Sequence, residues 1–245
     1  MDNTIIRITN LRKDYFVGEI TVHALRGIDM EIKEGEFVAI MGTSGSGKST
    51  MLNILGCLDT PSGGSYHLDS VDVSTMNRDE LARLRNLKLG FVFQAYNLLP
   101  RTTALENVEL PLFYNNRIKA KERRELAMNA LESVGLADRL DHMPNQLSGG
   151  QKQRLLIARA IISKPKIIYF DEATSALDNK TQKIVSESLA NLGVTRVVIA
   201  HRLSTIVNCN KIFVMDRGQI VEQGSYQELY EKGGLFTRLV QRQLA

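Results

Sequence analysis

The stretch that constrains this chain most is Gly42-Thr43-Ser44-Gly45-Ser46-Gly47-Lys48-Ser49-Thr50. It follows a compact apolar run, Glu36–Met41 (EFVAIM), and precedes an apolar segment with helical spacing, Met51–Leu58. A short run apolar at nearly every position is the mark of a strand buried on both faces. Strand, glycine-rich turn and helix in that order form a phosphate cradle. The glycines let successive backbone N–H groups converge on an anion, and the helix N-terminus adds its positive dipole end. Within such a cradle Lys48 is expected to neutralise the β- and γ-phosphates of a nucleoside triphosphate. The Ser49 hydroxyl is expected to ligate magnesium.

The rest of the chain is patterned to surround that unit. Apolar runs like EFVAIM recur at Lys166–Phe170 (KIIYF), Arg196–Ala200 (RVVIA) and Lys211–Met215 (KIFVM), with helically spaced segments between them. This predicts an α/β core, a parallel sheet flanked by helices as in P-loop NTPases. Earlier segments, Ile5–Ile8, Thr21–Leu25 and Ile28–Ile32, alternate in part and predict an antiparallel β subdomain with one wet face. The middle is different: Lys119–Val134 sets Leu126, Ala130, Leu131 and Val134 on one helical face. Thr103-x-x-Glu106 and Asn77-x-x-Glu80 read as capping boxes. Ser225-x-x-Glu228 opens a late helix, and a Gly233-Gly234 break precedes an amphipathic tail. The expected organisation is a single domain over 1–245, with a catalytic core from 1–94 and 161–245 and a helical subdomain over 95–160 that carries a further motif described below.

Composition narrows the function classes. With 43% hydrophobic and 24% charged residues in 245, the chain can build a core. Its net charge of +4 suits a phosphate-bearing ligand but is small for a nucleic-acid footprint, so no nucleic-acid partner is expected. Cys57 and Cys209 lie far apart and in no metal-ligand spacing, as expected of reduced thiols in a cytosolic protein. The first residues show no apolar core of a secretory leader, and no apolar run approaches the ~20 residues that span a bilayer. Any membrane role is expected to come through a partner.

A phosphate cradle that hydrolyses its ligand needs a distal acid to hold magnesium. KIIYF ends in Asp171-Glu172, so Asp171 is the candidate metal residue and Glu172 the candidate general base for water. Two acids after a strand can also simply cap the next helix. The guanine-reading Asn-Lys-x-Asp pattern is absent, which favours ATP.

Leu147-Ser148-Gly149-Gly150-Gln151, ahead of the Arg- and Ala-rich segment KQRLLIARAII, narrows the field further. Together with the P-loop it resembles the signature of ABC ATPases, and the resemblance runs from about residue 5 to 240. Gln94 matches that family's Q-loop, which the resemblance assigns to magnesium and to sensing the membrane partner. Ser175-Ala-Leu-Asp178 matches its D-loop, His201 its switch histidine, and Tyr15 the position where an aromatic stacks on adenine. The resemblance implies a head-to-tail dimer of two copies. Each ATP would be held by the P-loop of one and by Ser148, Gly149, Gly150 and Gln151 of the other, and the pair would power export through a transmembrane domain. It also implies a cytoplasmic protein peripheral to the inner or plasma membrane. Each residue alone has a plainer reading: His201 packed or solvated, Tyr15 a half-buried strand aromatic, LSGGQ a loop ending in a helix. Their joint order carries the resemblance.

The halves resemble different branches. LNILGCLDTPSGG and LGFVFQAYNLLPRTTALENVELPL resemble lipoprotein-release and macrolide-export ATPases, whereas DEATSALD, VVIAHRLSTI and GQIVEQGSYQEL resemble ATPase domains of peptide, bacteriocin and toxin exporters. Ala173 stands where the first branch has Pro. This pattern suggests a chimera, natural or engineered, joined near residues 145–165, with an atypical single lineage as the alternative. Leu98, Leu99, Pro100, Leu110, Leu112 and Phe113 are expected to divide between core and a groove for the transmembrane partner. A soluble ABC ATPase acting in DNA repair or translation would carry coiled-coil insertions or tandem cassettes, and neither is present. A regulatory module without turnover is opposed by Lys48, Asp171, Glu172 and His201 all being in place.

Overall fold

The computed structural model describes residues 3–93, 96–115, 118–171, 193–200 and 203–244. The chain forms two compact units, Met1–Leu84 with Thr195–Ala245, and Arg85–Val194.

In the first unit β1 (Thr4–Val17) and β2 (Ile20–Lys33) form a long antiparallel ribbon. Thr21–Leu25 and Ile28–Ile32, expected as two strands, are one. The register passes from Leu11↔Ile28 to Arg12↔Arg26, so Gly27 is an extra residue taken up as a bulge rather than a break. β4 (Gly63–Leu68) pairs with the other edge of β1, and β5 (Val71–Asp72) returns through a two-residue turn, Asp69-Ser70, with both φ positive. Ile6, Ile8, Ile28, Met30, Ile32, Tyr66 and Leu68 are buried while their strand neighbours are largely exposed, the one-sided burial that the alternation predicts.

The same unit holds β3 (Phe37–Gly42) between two parallel neighbours, β8 (Thr195–Ile199) and β9 (Lys211–Asp216), with β10 (Gln219–Gly224) antiparallel on β9. Val38–Met41 is almost wholly buried, as a central strand requires. α1 (Lys48–Leu55) springs from the turn after β3 and stops at Gly56, three residues short of the expected end. After it come α6 (Leu203–Ile206), α7 (Tyr226–Lys232) and α8 (Leu235–Leu244). The Ser225–Glu228 capping box is reciprocal, with Ser225 N–H donating to Glu228 Oε2 at 2.7 Å and Glu228 N–H to Ser225 Oγ at 3.3 Å. The start of α8 has a different cap: Glu222 on β10 accepts from the N–H groups of Leu235 (2.8 Å) and Phe236 (2.9 Å). A carboxylate at that end also meets the positive end of the helix dipole.

α2 (Arg78–Lys88) opens with the expected Asn77–Glu80 box. In the second unit β6 (Leu89–Val92) runs parallel to β7 (Ile167–Asp171). Helices α3 (Ala104–Glu109), α4 (Ala120–Ser133) and α5 (Gly149–Ile161) pack on one another. Thr103 and Glu106 cap α3 reciprocally. α4 buries Ala127, Ala130 and Leu131. Leu126, expected inside, is only half-buried because Ala127 takes the inward position beside Ala130 and Leu131. Of the apolar residues expected to divide between core and groove, Leu112 is buried, Leu99 and Phe113 are exposed, and Leu98 and Leu110 are half-buried.

Candidate functional site

The cradle begins where β3 ends. Gly42 closes the strand, Thr43–Gly47 turn back, and Lys48 is the first residue of α1. Gly47 is the helix N-cap with φ 100°, and a Cβ there would stand 2.7 Å from the backbone oxygen of Ala24 on β2. Only glycine satisfies both conditions. The turn therefore lies tightly against β2. On its other side Gly218 N–H donates to Ser46 O at 3.0 Å, so the Arg217-Gly218 turn between β9 and β10 buttresses the loop.

Lys48 is 8% exposed. Its ammonium donates to Gly42 O at 3.0 Å and Thr43 O at 2.7 Å, which holds the charge at the centre of the turn on the loop's own carbonyls. Ser46 Oγ is buried and has no hydrogen-bond partner among the described residues. A buried hydroxyl of this kind ordinarily has a partner, so Ser46 leaves hydrogen-bonding capacity in the loop unused. Ser49 is exposed and Thr50 half-buried, as are the loop residues Ser44 and Gly45 (exposed) and Thr43 (half-buried). The pocket over these residues, about 420 Å³, is walled by Gly45–Thr50, by Val22–Ala24 and Arg26 of β2, and by Arg217-Gly218. Lys48, Arg26 and Arg217 make it cationic, as a polyphosphate requires.

Tyr15 stands on β1 directly across from Val22, which lines that pocket. Its hydroxyl donates to Asp59 Oδ2 at 2.9 Å. Burial raises the phenol above its ordinary pKa, and the hydrogen bond to Asp59 adds to the effect.

In the second unit Ser148 is the N-cap of α5. Gln151 N–H donates to its Oγ at 3.3 Å, and Ser148 N–H donates to Gln151 Oε1 at 2.8 Å. LSGGQ therefore contains a capping box, which gives Ser148 and Gln151 a local task in the fold. Ser148 and Gly149 are exposed and Gly150 half-buried, so the helix N-terminus opens outward. Asp171 is the last residue of β7 and half-buried. Gln94, Glu172, Asp178 and His201 lie outside the described residues.

Some organising residues escaped the sequence reading. Asn107 on α3 is fully buried. Its Oδ1 accepts from Leu99 N–H at 2.8 Å, and its Nδ2 donates to Thr102 Oγ1 at 2.7 Å and Thr103 O at 2.9 Å, which fixes the segment after residue 98. Arg159 on α5 donates to Asn97 O at 2.9 Å. The only signal in the sequence was a polar residue, Asn107, set among the apolar positions Ala104, Leu105 and Val108 of a helix face.

A parallel strand feeding a phosphate-shaped turn and a helix, with a buried cation at its centre, defines a P-loop nucleoside-triphosphate-binding protein. The ABC transporter family profile matches residues 25–175, and the chain belongs to that family. It is 50% identical over 226 residues to the Bacillus subtilis ABC transporter ATP-binding protein YknY, covering 91% of this chain and 98% of that one. It is 48% identical over 229 residues to the macrolide export ATP-binding/permease protein MacB of Brucella abortus, covering 92% of this chain but 35% of that protein's length. The ATP-binding cassette MJ0796, solved as a dimer in a post-hydrolysis state with ADP and Pi, superposes with a TM-score of 0.83 at 44% identity, covering 90% of this chain and 98% of that one. The likeness to YknY runs through both halves of the chain, and these comparisons lend a junction near residues 145–165 no support.

Proposed function

We propose that the chain hydrolyses ATP between two copies arranged head to tail, and that the pair powers export through a transmembrane partner on the cytoplasmic side of a membrane. The observation that carries this reading is the cradle itself: a buried lysine centred on the turn, a buried serine hydroxyl in the same loop with no partner among the described residues, and a cationic pocket above. Its complement is the outward-facing N-terminus of α5 with Ser148 and Gly149 exposed, a second anion-binding end that one copy can offer to another. MJ0796 was solved as a dimer with ADP and Pi, and MacB is named for macrolide export; both agree with this assignment. Among the described residues no helix is long and apolar enough to cross a membrane, and in this reading the spanning segments belong to the transmembrane partner.

In this mechanism Lys48 exchanges its loop carbonyls for the β- and γ-phosphate oxygens, and the loop amides follow. Thr43, Ser44, Gly45, Ser46 and Gly47 surround the phosphates, and Thr50 supports them from α1. Ser49, with Asp171 and Gln94, would hold magnesium, which supplies neutralising charge at the phosphates. Glu172 polarises the attacking water and His201 contacts the γ-phosphate. Release of phosphate removes the charge that joins the two copies, and they separate.

Phosphate release from Mg-ATP by the purified chain tests this. Glu172→Gln should lower the rate by about 100-fold or more, the contribution of a general base. It should also lengthen the life of an ATP-bound dimer on sizing chromatography. Equal rates for both proteins, or a monomer under every ATP condition, would refute the reading.

A further inference from the structure

The platform for the base is tied to the far end of the helix that starts at the phosphate cradle, through the Asp59 carboxylate. Tyr15 sits near the tip of the β1–β2 ribbon, where Phe16, Val17 and Ile20 are all largely exposed. With few neighbours packed around it, an aromatic ring in that position would sample several rotamers. Its hydroxyl is instead held by a carboxylate from outside the ribbon. Asp59 Oδ2 accepts its hydrogen bond at 2.9 Å. Asp59 follows the end of α1, the helix whose first turn holds Lys48 and Ser49.

Asp59 is itself fixed. Its Oδ1 accepts from Lys13 Nζ at 2.6 Å and from Thr60 N–H at 2.8 Å. Lys13 is 9% exposed, donates also to Thr60 O at 2.8 Å, and stands 5.0 Å from the Tyr15 ring centroid. Both carboxylate oxygens are thus committed, one to the cation and one to the phenol. A charge-assisted bond of this kind is stronger and more directional than a neutral one.

We propose that Asp59, backed by Lys13, is a positioning residue that holds the Tyr15 ring in the orientation for stacking on the nucleotide base. The inference rests on the reading that Tyr15 receives the adenine. It predicts a division of labour. Loss of the tether weakens recognition of the base and leaves recognition of the phosphates intact, because Lys48 and the loop carbonyls are held separately from Asp59. A carboxylate that served only to staple β1 to the end of α1 would act on both.

Titration calorimetry with Mg-ATP and with inorganic magnesium tripolyphosphate, which has phosphates and no base, separates the two. Asp59→Asn and Tyr15→Phe should each weaken ATP about three- to ten-fold, a fraction of a full stacking contribution. Tripolyphosphate affinity should stay within about two-fold, and the double variant should bind ATP no more weakly than the poorer single one, since both remove the same bond. Wild-type ATP affinity in Tyr15→Phe, whose ring is intact, overturns the proposal, and that variant decides alone if Asp59→Asn does not fold. Equal weakening of ATP and tripolyphosphate by Asp59→Asn also overturns it. Tyr15→Ala distinguishes the underlying failure. If it weakens ATP while Tyr15→Phe does not, only the tether is wrong; if it binds ATP like the wild type, the base is not stacked on Tyr15 at all.

Discussion

Replacing Gly47 with alanine should damage this protein far more than the same change at Gly45, two residues away in the same loop. Gly47 has φ 100°, where an L residue bears about 1–3 kcal/mol of strain. Its new Cβ would lie 2.7 Å from Ala24 O and 3.1 Å from Leu25 Cδ2. The first of these is backbone of a paired strand, so relief requires the turn to move. Strain and collision together come to about 2–4 kcal/mol. Gly45, with φ 75° and nothing within 4 Å of an added methyl, carries only the left-handed penalty, about 1–2 kcal/mol. The cost at Gly47 can fall on folding or on the cradle. Urea unfolding without nucleotide reads the first, and ATP affinity reads the second, where 2–4 kcal/mol is roughly 30- to 1,000-fold. The two losses together should reach that range for Gly47→Ala. If Gly47→Ala matches Gly45→Ala in both measurements, the close approach of loop to β2 is not what the glycine serves.

Other outcomes follow from single contacts. Asn107→Ala removes three hydrogen bonds shorter than 3.0 Å from a buried side chain and should destabilise by about 2–4 kcal/mol in urea titration; a loss under about 0.5 kcal/mol would show that water replaces them. Burial alone would raise the Asp59 carboxyl, but the bonds from Lys13, Thr60 and Tyr15 outweigh it and hold it below the usual carboxylate range. A depressed carboxyl contributes stability above its unfolded pKa, about 4, and loses it as pH falls through the folded value. Stability measured from pH 6 downward should therefore drop less steeply below about pH 4 in Asp59→Asn than in the wild type. Burial pushes the Cys209 thiol up to about 12, with Arg196 opposing, so it is neutral at pH 8. Cys57 is buried too, and a disulfide reagent should titrate neither thiol until the protein unfolds.

The architecture was legible because its signals are local. EFVAIM, KIIYF, RVVIA and KIFVM became β3, β7, β8 and β9 within a residue or so at each end. The boxes at Asn77, Thr103 and Ser225 start helices where the spacing placed them. A strand interior or a helix cap is decided by residues two to four apart, and the chain carries that information in order. The β4, β5 and β10 strands went unread because their sequences alternate weakly and depend on the edges they join.

From its own order of residues the chain determined the phosphate cradle, the position of Lys48 and Ser49 at a helix start, and its membership of a family. Only the tertiary structure decided what holds those parts in place: Gly218 against Ser46, Glu222 on the first amides of α8, and Asp59 on a tyrosine 44 residues away. The reason is physical. A turn or a cap gains its energy from neighbours along the chain, whereas a bond between distant segments exists only after both have been brought together, and no spacing along the sequence records which segments those will be.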